Sequence, residues 1–228
     1  MRPQTPGITT SSRNADVALS AALNQSSAHS AIGEAPESSN VMGTARLEAF
    51  SDGVIAVIIT IMVLELKAPT NPAIGELVAR WHIFAAYAAS FVFVAIFWVN
   101  HHHMMHAAKR VSASTLWLNI HWLFWLSLYP FVTSYVSESK GAPLALACYG
   151  ALAAMTALSY ILLAADLGRR NDAFGLSAAA LRRQNLMSAA SVLLPLAAIP
   201  LGYLSAPLAC VLLVLPALAY FMPRHAVD

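Results

Sequence analysis

Residues 46–66 read RLEAFSDGVIAVIITIMVLEL, with Arg46, Glu48 and Asp52 in the opening turns and then no charge until Glu65. A helix of this length and apolarity is long enough to cross a bilayer, which takes about 20 residues. Lipid does not solvate charge, so the polar start of such a helix must face protein or water. One segment therefore demands two environments. Its first turns need polar partners from neighbouring helices, and the stretch from Gly53 onward needs an apolar surrounding, with Thr60 as its one hydroxyl.

The rest of the chain repeats the theme. Hydrophobic residues make up 58% of 228 and charged residues 11%, against about a quarter charged in a soluble domain. The chain reads as an integral membrane protein. A net charge of +2 gives no basic face for nucleic acid. Cys148 and Cys210 lie inside apolar runs without metal-ligand spacing, as small packing residues do. Residues 1–43 are rich in Ser, Ala, Asn and Pro and lack the apolar core of a signal peptide. They are expected to form a disordered cytoplasmic extension.

Six apolar segments follow. Helix 1 covers about 46–66 and ends at the prolines of Lys67-Ala-Pro-Thr-Asn-Pro. After a short polar connection, helix 2 covers about 81–106 and helix 3 about 114–136, with Pro130 inside it. Helix 4 covers about 144–167, and residues 171–181 form a link. Helices 5 and 6 cover about 185–204 and 207–222, and Pro195, Pro200, Pro207 and Pro216 should bend them. An even number of spans puts both termini on one side. On that layout ten of the thirteen Lys and Arg residues share the side of the termini, while Lys67, Arg80 and Lys140 take the other. Cytoplasmic loops carry the excess of basic residues. The fold expected is all-α, a multi-pass protein of the cell membrane with six transmembrane helices and both termini cytoplasmic. Residues 44–222 form its membrane domain and 223–228 a short tail.

Two features of helix 1 bear on function. Val57, Ile61 and Leu64 recur at i, i+4, i+7 and share a stripe, with Thr60 beside it. Such a stripe more often packs against another helix. If copies of helix 1 meet on an axis, however, it becomes a stack of apolar rings, and rings of this kind gate pores by dewetting. The second feature is polar. Asp52 lies near the end of helix 2 that carries Trp98, Asn100, His101, His102 and His103, and near the start of helix 3 with Asn119 and His121. A network joining the three helices is geometrically reasonable, either as a structural clamp or as an ion or proton path. His102 and His106 at i, i+4, or His103 and His106 at i, i+3, have a spacing that zinc sites use, yet no HExxH or CxxC supplies further ligands, so no metal site is expected.

No phosphate loop or nucleophile constellation occurs, and no filter of the TVGYG type. The chain is not expected to be an enzyme or to hold a cofactor. A histidine-based membrane metalloprotein and a proton-coupled transporter using Asp52 stand as alternatives to a channel.

Arg46, Phe50, Ser51 and Asp52 have the RxxxFSD spacing, and helix 2 carries Trp98-Val-Asn-His-His. Together with Asn119 through Pro130-Phe131, these residues make about 44–136 resemble the transmembrane protein 175 family of lysosomal and bacterial potassium channels. The resemblance implies a passive, K⁺-permeable cation channel in the lipid bilayer. It implies a homotetramer of six-helix subunits with helix 1 lining the pore. By position it assigns the constriction and selectivity rings to Val57, Ile61 and Leu64, with Thr60 as an added pore-facing hydroxyl. It also makes Arg46, Phe50, Ser51 and Asp52 a structural motif, partnered by Trp98, Asn100, His101, His102 and Asn119.

Overall fold

A computed structural model describes residues 43–171 and 178–221. The expected N-terminal extension, apart from Gly43, lies outside the described residues, as do 172–177 of the link and the tail from 222 onward. Every regular element among the described residues is a helix: α1 (Thr44–Leu64), α2 (Ile74–Ala79), α3 (Trp81–Ala107), α4 (Ala113–Leu126), α5 (Tyr129–Glu138), α6 (Pro143–Arg170), α7 (Ala178–Leu204) and α8 (Ala206–Phe221). Four of these, α1, α3, α6 and α7, are long and apolar enough to cross a membrane on their own, and α8 contains a shorter apolar helix. At 1.5 Å per residue, the 21 residues of α1 extend about 32 Å, close to the hydrocarbon thickness.

Helix 3 of the sequence reading is two helices. Pro130 has no N–H to give the Leu126 carbonyl, and its ring would press on that carbonyl. The chain answers by ending α4 at Leu126 and restarting with Pro130 in the first turn of α5. The break is tightened locally: Leu128 N donates to Trp125 O at 3.2 Å, and Ser127 Oγ donates to Phe124 O at 2.8 Å. The polar connection after helix 1 contains the short helix α2. The boundary between the last two helices is a single residue, Ser205, and Pro207 takes the first turn of α8.

The core is built around α1, α4 and α6. Leu47, Ile55, Ile58 and Met62 of α1 are buried with Val94 of α3, Trp122 and Leu126 of α4, and Leu146, Leu163 and Leu167 of α6. Helix α1 packs on α3, α4 and α5, while α6 joins α4 and α5 to α7. The α6–α7 contact is close enough to exclude a side chain. A Cβ at Gly150 would stand 2.7 Å from the Pro195 carbonyl oxygen and 3.2 Å from Ile199 Cγ1. A backbone carbonyl cannot swing aside, so Gly150→Ala should force the helices apart and cost about 1–3 kcal/mol. Gly202→Ala would meet Leu146 at an ordinary 3.5 Å and serves as the control. Thermal unfolding in detergent checks this: Gly150→Ala should melt several degrees lower and Gly202→Ala near wild type.

Candidate functional site

Helix α1 has two faces of opposite character. Leu47, Ser51, Ile55, Ile58 and Met62 recur at helical spacing and are buried. Opposite them, Val57 is 55% exposed, Ile61 44% and Leu64 75%, with Phe50, Gly53 and Thr60 also on the exposed side. The chain itself leaves this apolar stripe uncovered. The Thr60 hydroxyl donates to the Val57 carbonyl at 2.8 Å, which directs its remaining lone pairs outward from the helix.

The buried face carries the polar anchor. Ser51 Oγ donates to Leu47 O at 2.9 Å and accepts from Asn119 Nδ2 at 2.9 Å. The Asn119 amide oxygen then faces His101 Nε2 at 2.9 Å, so that nitrogen carries the proton in this arrangement. Ser51, His101 and Asn119 are fully buried, and the His101 ring lies on Trp122 with centroids 4.8 Å apart and planes 14° from parallel. A single line of hydrogen bonds thus ties α1 to α4 and α4 to α3. His101 Nδ1 has no hydrogen-bond partner.

A second strand of the network runs along the edge of the same helices. Trp98 Nε1 donates to Asp52 Oδ1 at 2.9 Å, and His102 Nδ1 meets Glu48 Oε1 at 2.8 Å. The Trp98 and His102 rings are stacked 5.9 Å apart, and His102 and His106 stack at 5.7 Å. Ser51, Asp52, Trp98, His101, His102 and Asn119 therefore lie in two adjoining strands of polar contacts between α1, α3 and α4. The Asn100 side chain is half-buried and makes no hydrogen bond among the described residues, and the exposed Arg46 side chain likewise has no ion pair there. Among the described residues no three His, Cys, Asp or Glu side chains are grouped to hold a metal ion.

Two further polar clusters escaped the sequence reading. Asp166 on α6 accepts from Thr115 Oγ1 at 2.6 Å, from Arg170 Nε at 3.1 Å and from Ser114 Oγ at 3.3 Å. Asn171 adds bonds from the Lys109 and Arg110 amides at 2.8 and 3.1 Å, closing the α3–α4 turn onto the end of α6. An acid four residues before an arginine was the available signal. The other cluster joins Ser90, Thr133 and Tyr149, with Thr133 Oγ1 2.7 Å and Tyr149 OH 3.0 Å from Ser90 Oγ. Its members are far apart in the chain, and no local pattern announces them. Both clusters fasten helices together around α1 and leave its exposed stripe untouched.

Comparison with known proteins points to one family. The sequence profile of the endosomal/lysosomal potassium channel TMEM175 matches residues 46–130. A potassium channel of Chryseobacterium sp. is 48% identical over 122 residues, which are 54% of this chain and 64% of that protein, slightly under two thirds of its length. A potassium channel of Streptomyces collinus is 33% identical over 173 residues, covering 72% of this chain and 84% of that protein. The crystal structure of a lysosomal potassium-selective channel TMEM175 homolog from Chamaesiphon minutus superposes with a TM-score of 0.67 at 26% identity, over 78% of this chain and 95% of that one. The potassium channel MtTMEM175, at 16% identity and a TM-score of 0.56, shares the fold.

Proposed function

The chain belongs to the TMEM175 family of potassium channels, and on that footing we propose that it forms a passive, K⁺-permeable pore across the cell membrane, built from four copies of itself with α1 of each lining the axis. The observation that carries this reading is the uncovered stripe of Val57, Ile61 and Leu64 on a helix whose opposite face is locked into the bundle. Four such stripes facing one another form three apolar rings, with the Thr60 hydroxyl between them. An ion passing them must lose water or widen the rings, so they constrict and contribute to selectivity.

Six spans fit the helices if α4 and α5 together make one broken crossing and α8 makes the last. Both termini then lie on the cytoplasmic side with most of the Lys and Arg residues. The polar anchor sits near that side. Its role is to set the tilt and rotation of α1, and with them the width of the rings. Arg46 and Phe50 face outward at this level and serve contacts between copies.

The test is ion flux. Purified protein in liposomes loaded with K⁺ should dissipate a K⁺ gradient faster than a Na⁺ gradient, with no need of a counter-transported proton. Uphill accumulation of K⁺ driven by a pH gradient would mark a transporter instead. Absence of cation flux in correctly inserted protein would overturn the channel reading.

A further inference from the structure

Glu65 follows directly on Leu64, the last residue of α1, and is the first charge after the apolar stretch. Its side chain is exposed, and Ser134 Oγ on α5 donates to its Oε2 at 3.1 Å. With about 100° of rotation per residue, Glu65 stands roughly a quarter turn from Leu64, at the flank of the stripe. Two sources of negative potential coincide there. The last carbonyls of α1 lack intrahelical partners and carry the negative end of the helix dipole, and no basic residue occupies the last turn of α1 to offset them. The carboxylate adds a full charge in a fixed place.

Neither of the closest basic residues in sequence pairs with it: Arg80 Nη1 donates to the Lys67 carbonyl at 3.1 Å, and no Lys67 or Arg80 nitrogen comes within ion-pair distance of the Glu65 carboxylate. Among the described residues Glu65 has no ion pair.

We propose that Glu65, held by Ser134, is a conductance-determining residue: it concentrates cations at the Leu64-side mouth of the pore. The inference rests on α1 lining that pore. Glu65 acts through its field and not by ligating the ion, so its influence must depend on salt. The Debye length is on the order of 20 Å at about 20 mM and about 3 Å at 1 M, and a ring of like charge at a narrow mouth raises the local counter-ion supply only in the first case.

Single-channel recording in planar bilayers separates the outcomes. At about 20 mM KCl, Glu65→Gln should lower conductance roughly two- to fivefold, and at 1 M it should leave it within about a fifth of wild type. The loss should be greater for current entering from the Leu64 side, so that the ratio of the two current directions shifts from the wild-type value. Glu65→Asp should keep most of the conductance, and Ser134→Ala should give an intermediate loss with the same salt dependence. Should Glu65→Gln fail to fold, the salt dependence of Ser134→Ala decides the question. Equal conductance at both salts, or the same proportional loss at both, overturns the inference and leaves the pore reading standing. A wild type that carries no current removes the pore reading and this inference with it.

Discussion

Replacing Ile61 or Leu64 by asparagine should raise K⁺ flux by roughly tenfold or more and bring the Na⁺ and K⁺ rates closer together. Both side chains lie on the uncovered face of α1, so neither substitution empties a cavity or strands a buried partner within the chain. Their expected effect is on the pore. A ring of branched aliphatic groups offers a passing cation nothing in place of its water. A ring of amides offers carbonyl oxygens and holds water, and each 1.4 kcal/mol removed from the barrier is a factor of ten in rate. Selectivity should fall in the same experiment, because a wetted ring lets ions pass with more of their hydration shell intact. Leu64→Asn has the simpler surroundings, being 75% exposed. Flux of K⁺, Na⁺ and Cs⁺ in liposomes is the measurement. Wild-type rates and ratios in both variants would place the constriction elsewhere.

How much of this was legible in the sequence differs between the two faces of α1. The apolar stripe was readable as a period, yet a period says only that residues share a face, not which face is covered. Burial settled that Ile55, Ile58 and Met62 meet the bundle while Val57, Ile61 and Leu64 do not. Among the polar residues, Asp52, Trp98, His101 and Asn119 drew attention because charges and amides are conspicuous in apolar runs. Their pairing was not readable. The histidine triplet offered three candidates, and only the helical rotation of α3 assigns His101 to Asn119 and His102 to Glu48. The broken helix at Ser127–Leu128 followed from Pro130 in principle. The sequence does not state whether proline bends a helix or interrupts it, since that depends on whether neighbours supply the freed backbone groups. The Ser90–Thr133–Tyr149 and Asp166 clusters were missed because hydroxyls and a single acid are unremarkable until distant segments meet.

The anchor yields the second large effect. Asn119→Leu removes both bonds that Asn119 makes, but the two losses are unequal. Ser51 keeps its local bond to the Leu47 carbonyl, whereas His101 loses its partner at Nε2 while Nδ1 already lacks one. A fully buried imidazole would then have no hydrogen bond at all. A hydrogen bond between membrane helices is worth roughly 0.6–1.7 kcal/mol, and a buried group left unsatisfied costs about 1–3 kcal/mol. The single substitution should therefore cost roughly 2–4 kcal/mol and lower the melting temperature by about 5–15 °C for a chain of this size. Because α1 would lose its fixed rotation, the proposed tetramer should also loosen, visible as a shift in elution. His101→Phe leaves the Asn119 oxygen unpaired but keeps an aromatic ring against Trp122, and should cost less. Combining the two removes the unpaired donor and the unpaired acceptor together, and replacing both partners by apolar groups of similar shape is close to neutral. The double variant should accordingly melt above Asn119→Leu alone, a coupling opposite in sign to simple accumulation of damage. Additive losses, or an Asn119→Leu protein that melts within a degree of wild type, would mean that this line of bonds does not hold α1 in place.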